Sequence, residues 1–123
     1  METTSTLASE VVVLTREDGR VVCEHLLVAA RPLRRMRGLL GRSGLPEGEG
    51  ILLRPAGSIH TFFMRFAIDV VFLDRDLIVL GIEPSLGPWR TAGRRGAKSV
   101  VELASGECER RGIQVGDALT VVA

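Results

Sequence analysis

The chain has 123 residues, of which 46% are apolar, and a formal net charge of +1. That length fits one domain of the usual ~100–150 residues and permits a core that needs neither disulfide nor metal. The small charge excludes a global attraction to nucleic acid or membrane surfaces, and no apolar run approaches the ~20 residues of a spanning helix.

Residues 1–9 are rich in Thr and Ser and read as a disordered tail without the features of a signal peptide. Residues 10–123 read as a single β-rich domain, and a cytoplasmic location is expected. The β-branched run Glu10–Thr15, the turn Glu17-Asp18-Gly19 and the run Arg20–Ala29 predict a β-hairpin. Pro32 suits the first position of a helix, and Leu33, Met36 and Leu40 recur at helical spacing, so a short helix is expected near 32–41. Its arginines (Arg34, Arg35, Arg37, with Arg31 and Arg42 flanking) read as a solvated face.

Beyond a Gly/Pro loop at 43–50, Ile51–Leu53 predicts a brief strand. Ser58–Met64 predicts another, whose alternation would put His60, Phe62 and Met64 on one face and Thr61, Phe63 and Arg65 on the other. Ile68–Leu73, the turn at 74–76 and Leu77–Ile82 predict a second hairpin. Pro84–Lys98, with two prolines and the sole tryptophan, predicts a long irregular loop. Ser99–Leu103 reads as a strand, Ser105 as the cap of a helical turn near 105–111, and Leu119–Val122 as the last strand. The expected fold is mainly β: a small barrel-like or curled antiparallel sheet of about 7–8 short strands with one short helix and one helical turn.

The segments Arg37-Gly38-Leu39-Leu40-Gly41-Arg42, Gly50-Ile51-Leu52, Ile59 to Asp74, Val101 to Gly106 and Val115-Gly116-Asp117 follow one another at characteristic spacing. In that order they resemble domain-of-unknown-function family 192, also called uncharacterised protein family 0127, over roughly residues 25–122. The resemblance implies a compact, mainly β fold with a short helix in the N-terminal third, and implies no activity. The chain departs from the family at Phe63-Met64-Arg65-Phe66-Ala67, where many relatives carry a Trp-Met-Lys-Asn-Thr type segment and often proline at position 67.

His60 is the more informative of two histidines, with Thr61 and Met64 near it and Asp69 on the next predicted strand. An Asp69–His60 pair would orient the imidazole as a general base; the plainer expectation is a structural histidine in a satisfied polar cluster. His60, Met64 and Asp69 form a mixed donor set without metal-ligand spacing, so no metal or other cofactor is expected. Cys23 and Cys108 match no metal or redox motif and read as reduced, buried residues. Asp69 and Glu102 are acids within apolar strands, each either a pocket carboxylate or half of an ion pair. Trp89 and Arg90 are residue types enriched at interaction hot spots, and Arg94 and Arg95 extend the same acid-free loop.

Three readings of function follow. The leading one is a non-enzymatic binding or accessory module for a small anionic ligand or acidic protein. Its cleft would be lined by His60, Thr61, Asp69 and Glu102, with the loop Pro84–Lys98 as a basic rim; Met64, Trp89, Arg90, Arg94 and Arg95 are further ligand-binding candidates. The alternatives are a hydrolase-like enzyme using His60 as general base and a purely structural or interaction domain. Aromatic residues make up only 4% of the chain, with no tyrosine, so nucleic acid is not an expected partner.

Overall fold

The computed structural model describes residues 10–29 and 43–123. The helix expected near 32–41 and the tail at 1–9 lie outside the described residues. The described chain forms nine strands and one short helix: β1 (Val11–Arg16), β2 (Val21–Ala29), β3 (Glu49–Leu53), β4 (Ser58–His60), β5 (Ile68–Leu73), β6 (Val79–Leu86), β7 (Thr91–Gly93), β8 (Ser99–Ala104), α1 (Glu107–Arg110) and β9 (Leu119–Val122). Seven strands make one sheet in the order β6-β5-β8-β3-β2-β1-β9, while β4 and β7 form a separate two-stranded ribbon. Within the large sheet every pairing is antiparallel except β2–β3. That connection runs through residues 30–48, long enough for a parallel crossover.

The first hairpin forms where the sequence predicts it. Gly19 takes φ 87 in its turn, and the Asp18 carboxylate accepts from the Arg20 amide. The sheet curls until its two edges touch. Ile78 bridges Ala118, and the Leu119 amide donates to the Leu77 carbonyl at 3.0 Å. Beyond that bridge the edges part, so the curl does not close into a barrel.

All seven strands contribute to the enclosed side, through Val79, Val71, Val101, Leu52, Leu26, Leu14 and Leu119; Cys108 of α1 and Ile113 plug its end. The outer side carries a second core made by Ile51, Leu53, Ile68, Val70, Phe72 and Val100. Every residue of β5 and β8 is therefore buried.

Two expectations are corrected. The strand predicted over Ser58–Met64 stops at His60, because Phe63 takes φ 70 and breaks the extended path. The loop predicted over Pro84–Lys98 is interrupted by strand at both 84–86 and 91–93. β6 runs through Pro84 to Leu86, which an edge strand tolerates because no neighbour needs the missing N–H. Thr91–Gly93 then pairs with β4.

An ion network ties α1 to the sheet. Glu107 is 2% exposed, and its carboxylate accepts from the Gly48 amide at 3.0 Å, Arg110 at 3.0 Å and Arg111 at 3.3 Å. Arg111 also grips Glu24 of β2 with both terminal nitrogens, at 2.9 and 3.2 Å. Burial pushes the Glu107 carboxyl upward, but the Gly48 amide and the two arginines outweigh it and hold it below the ordinary range. The Arg111 hydrogen bond does the same for Glu24. A carboxylate lowered in the fold stabilises it above its unfolded value near 4.5, and that stability is lost as pH falls through the folded value. The melting temperature should therefore hold from pH 7 to about 5 and drop in more acid solution. Glu107→Gln should cost about 2 kcal/mol at pH 7 and flatten the acid limb. An acid limb of unchanged slope in the variant would remove Glu107 from this account.

Candidate functional site

The β4–β7 ribbon lies on the outer core. Its pairs are Ser58↔Gly93, Ile59↔Ala92 and His60↔Thr91. Ile59 and Ala92 pack inward against that core, so alternation turns Ser58, His60, Thr91 and Gly93 outward. A shallow trough of about 480 Å³ runs along this outward face, lined by Ser58, His60, Phe62, Thr91 and Gly93.

The ribbon's end is knotted by Thr61, which is fully buried. Its hydroxyl donates to the Gly87 carbonyl at 2.6 Å and accepts from the Arg90 amide at 2.9 Å. Its own amide donates to the Arg90 carbonyl, and its carbonyl accepts from the amides of Trp89 and Met64. Met64 is buried in the outer core and pins the loop from below. The side chains between these anchors are pushed into solvent: Phe62 is 37% exposed, Phe63 60% and Trp89 59%. Phe63 and Trp89 both adopt left-handed backbone, at φ 70 and φ 62. That conformation costs a non-glycine residue of order 1–3 kcal/mol and tends to gather at working sites. The rings form one cluster. His60 stacks on Phe62 at 4.6 Å and 28°, Phe62 stacks on Trp89 at 5.8 Å and 25°, and Phe63 tilts against Trp89 at 4.6 Å. The Phe62 amide donates to Nδ1 of His60 at 3.3 Å.

The segments that build the ribbon, 54–66 and 84–98, contain no acid and six cations: Arg54, Arg65, Arg90, Arg94, Arg95 and Lys98. All six are exposed, and none forms a salt bridge among the described residues. Outside the ribbon, Arg16 pairs with Asp18 and Asp117, Arg110 with Glu47 and Glu107, and Arg111 with Glu24 and Glu107, while Arg75 has no salt bridge among the described residues. Arg94 leans away from the rings. Its guanidinium lies over Phe72, 5.5 Å from the ring centroid, in space that any side chain at Gly81 would fill.

The cleft expected from His60, Thr61, Asp69 and Glu102 is not assembled. Asp69 shares the enclosed side with Val71, whereas Glu102 shares the outer side with Val100, so the two acids leave the sheet on opposite faces. Asp69 does not orient His60 either. One of its oxygens accepts from the Ser85 amide at 2.9 Å, where the β5–β6 register slips, and the other from the Cys108 amide at 2.9 Å. It thus latches a strand irregularity to the first turn of α1. Ser105 does not cap that helix; Gly106 occupies the N-cap, and the Ser105 hydroxyl instead bonds that of Ser85 at 2.6 Å. The cysteines are free and buried. Burial raises the Cys23 thiol to about 11 and, with help from Asp69, raises that of Cys108 as well, so both stay protonated at neutral pH. Among the described residues no three His, Cys, Asp or Glu side chains group as metal ligands. No described helix is long and apolar enough to cross a membrane.

Sequence reasoning singled out Trp89 and Arg90 but missed Phe62, Phe63 and Arg65 as site residues. The available signal was the adjacent pair Phe62-Phe63 between His60 and Arg65, too polar a setting for two core rings.

The family match spans residues 13–121 and is to DUF192, described as Uncharacterized ACR. The chain belongs to the DUF192 family. A UPF0127 protein from Thermococcus sibiricus is 29% identical over 111 residues, covering 86% of this chain and 71% of that protein. A UPF0127 protein from Pyrococcus furiosus is 43% identical over 63 residues, half of this chain and 53% of the relative. Among solved structures, one from Sinorhizobium meliloti superposes with a TM-score of 0.78 at 24% identity, over 93% of this chain and 94% of that one. A protein of unknown function from Novosphingobium aromaticivorans gives 0.75 at 23% identity, over 91% and 84%. These likenesses carry the DUF192 fold.

Two substitutions separate exposed rings from structural latches in this DUF192 chain. Phe63→Gly should leave the melting temperature unchanged or raise it, because relief of left-handed strain offsets the entropy glycine adds to the unfolded chain. A fall of several degrees would mean that the ring holds the loop. Asp69→Asn should lower stability by about 1–3 kcal/mol in denaturant melts, since an amide group cannot accept both N–H groups with its one oxygen. Unchanged stability would discard the latch.

Proposed function

We propose that this DUF192 chain is a non-enzymatic binding or accessory module that captures an anionic ligand or acidic partner on the outward face of the β4–β7 ribbon. The observation that carries the reading is the coincidence of a four-ring cluster, three of its rings exposed, with six exposed cations that no described acid neutralises. Exposed rings held in strained backbone have little structural purpose, and unmatched arginines next to them favour carboxylate or phosphate. Supporting this over the general-base reading, the Asp69 expected to orient His60 faces the other side of the sheet.

Trp89 is the sole tryptophan and lies in the cluster, so its fluorescence reports the site directly. Titration with polyglutamate, polyphosphate and an oligonucleotide, against polylysine as control, should perturb Trp89 with at least one polyanion and not with polylysine. The response should weaken with salt and be reduced in Arg65→Gln/Arg90→Gln, with the melting temperature kept. Arg94 is left intact there because it covers Phe72. A Trp89 signal indifferent to every polyanion at low salt would sink the reading.

A further inference from the structure

Resting on that reading, we infer that the anion taken by the ribbon is single-stranded nucleic acid, bound by stacking and without marked sequence preference. A low aromatic fraction, averaged over the chain, argues against this partner. The average misleads, because three of the five Phe and Trp residues (Phe62, Phe63 and Trp89) gather with His60 at one exposed place. Single-strand binding asks for that combination: a few ring faces open to solvent within a positively charged surface.

The geometry favours a planar occupant over an acidic protein. His60, Phe62 and Trp89 stand within 28° and 25° of parallel in succession, so a flat base can extend the stack. Phe63, tilted at 58° to Trp89, offers a second ring face beside it. The exposed ring surface is small, roughly 300 Å² judged from the ~150–250 Å² that one aromatic side chain presents. That is well short of the ~800 Å² per partner typical of a specific protein interface, and it suits one or two bases. Around it, Arg65 and Arg90 adjoin the rings in sequence, and the hydroxyls of Ser58 and Thr91 line the trough. Arginine forks and hydroxyls are the usual donors to phosphate and sugar oxygens.

Composition also argues against readout of adenine or cytosine. Neither ribbon segment, 54–66 or 84–98, contains Asn, Gln, Asp or Glu. The side chains that read adenine and cytosine edges are therefore missing, whereas stacking accepts any base. A duplex hides its base faces and gains nothing from the rings.

The test is Trp89 fluorescence with the full chain and four probes of matched length: oligothymidylate, oligouridylate, a DNA duplex and polyglutamate. At least one single strand should quench Trp89. Its affinity should fall roughly twenty-fold from 50 to 200 mM salt if three phosphates are neutralised. Phe63→Gly should weaken binding at least five-fold with the melting temperature kept; Phe62→Ala serves if that variant fails to fold. Arg65→Gln/Arg90→Gln should lower the salt slope by about 0.7 for each phosphate that is no longer neutralised. Quenching by polyglutamate but by neither single strand would overturn this inference and leave the polyanion reading standing. No response to any probe would overturn both. Binding of the duplex as tightly as the single strand, indifferent to both ring variants, would also overturn it.

Discussion

The centre of the sheet has no solvent face, and most of the architecture answers to that. Every residue of β5 and β8 is buried, with Val71, Leu73, Val101 and Leu103 on one side and Val70, Phe72 and Val100 on the other. Strands apolar on both faces are ordinary where helices cover a parallel sheet; here the sheet is almost wholly antiparallel and covers one face by curling over itself. The other face needs a separate cover, and part of it is the ribbon, through Ile59 and Ala92, with Met64 and Leu86 beside them. Side chains the size of Ile59, Met64 and Leu86 each contribute of order 1.5–3 kcal/mol when fully buried. The ribbon is therefore held in place by core packing, which leaves its opposite face open to other use.

A ribbon with three-residue strands is marginal by itself. Thr61 compensates by hydrogen-bonding the loop after His60 to the loop between β6 and β7, through both backbone and hydroxyl. One buried threonine thus sets where Phe62, Phe63 and Trp89 emerge, and its bonds oppose the left-handed strain at two of them. This arrangement combines a rigid base with a protruding ring cluster, which limits the ordering entropy lost when something binds.

The large sheet was legible in the sequence because its signals are local and mutually consistent: β-branched runs at Val11–Leu14 and Val70–Val71, turn residues at Asp18-Gly19, and an apolar Ser99–Leu103 stretch. The ribbon was not. Phe62 and Phe63 carry strand propensity, but Phe63 is left-handed, a state no propensity assigns to phenylalanine. Pro84 reads as a breaker, yet it sits on an edge where it breaks nothing. Asp69 was recognised as an odd polar residue, but its partners, Ser85 and Cys108, lie 16 and 39 positions away. His60 was the nearer partner in sequence, on the wrong side of the sheet. Among the expected rim residues, Arg94 was drawn away by the Phe72 ring and the bare backbone of Gly81, a pairing visible only once β5 and β6 are laid side by side.

The sheet joins residues from opposite ends of the described chain, since β1 pairs with β2 on one edge and with β9 on the other. Such a topology is rich in pairings between distant residues and so belongs among the slower-folding domains. During synthesis the β1–β2 hairpin emerges about a hundred residues ahead of the partner for its open edge, judged by the pairing of Val13 with Val122. Throughout that interval the hairpin presents unpaired amides and carbonyls to its surroundings, the usual template for unwanted strand addition. Insertion of Leu119–Val122 completes the sheet and removes that liability together, so a strand far from the hairpin in sequence decides whether the chain folds alone or sticks to its neighbours.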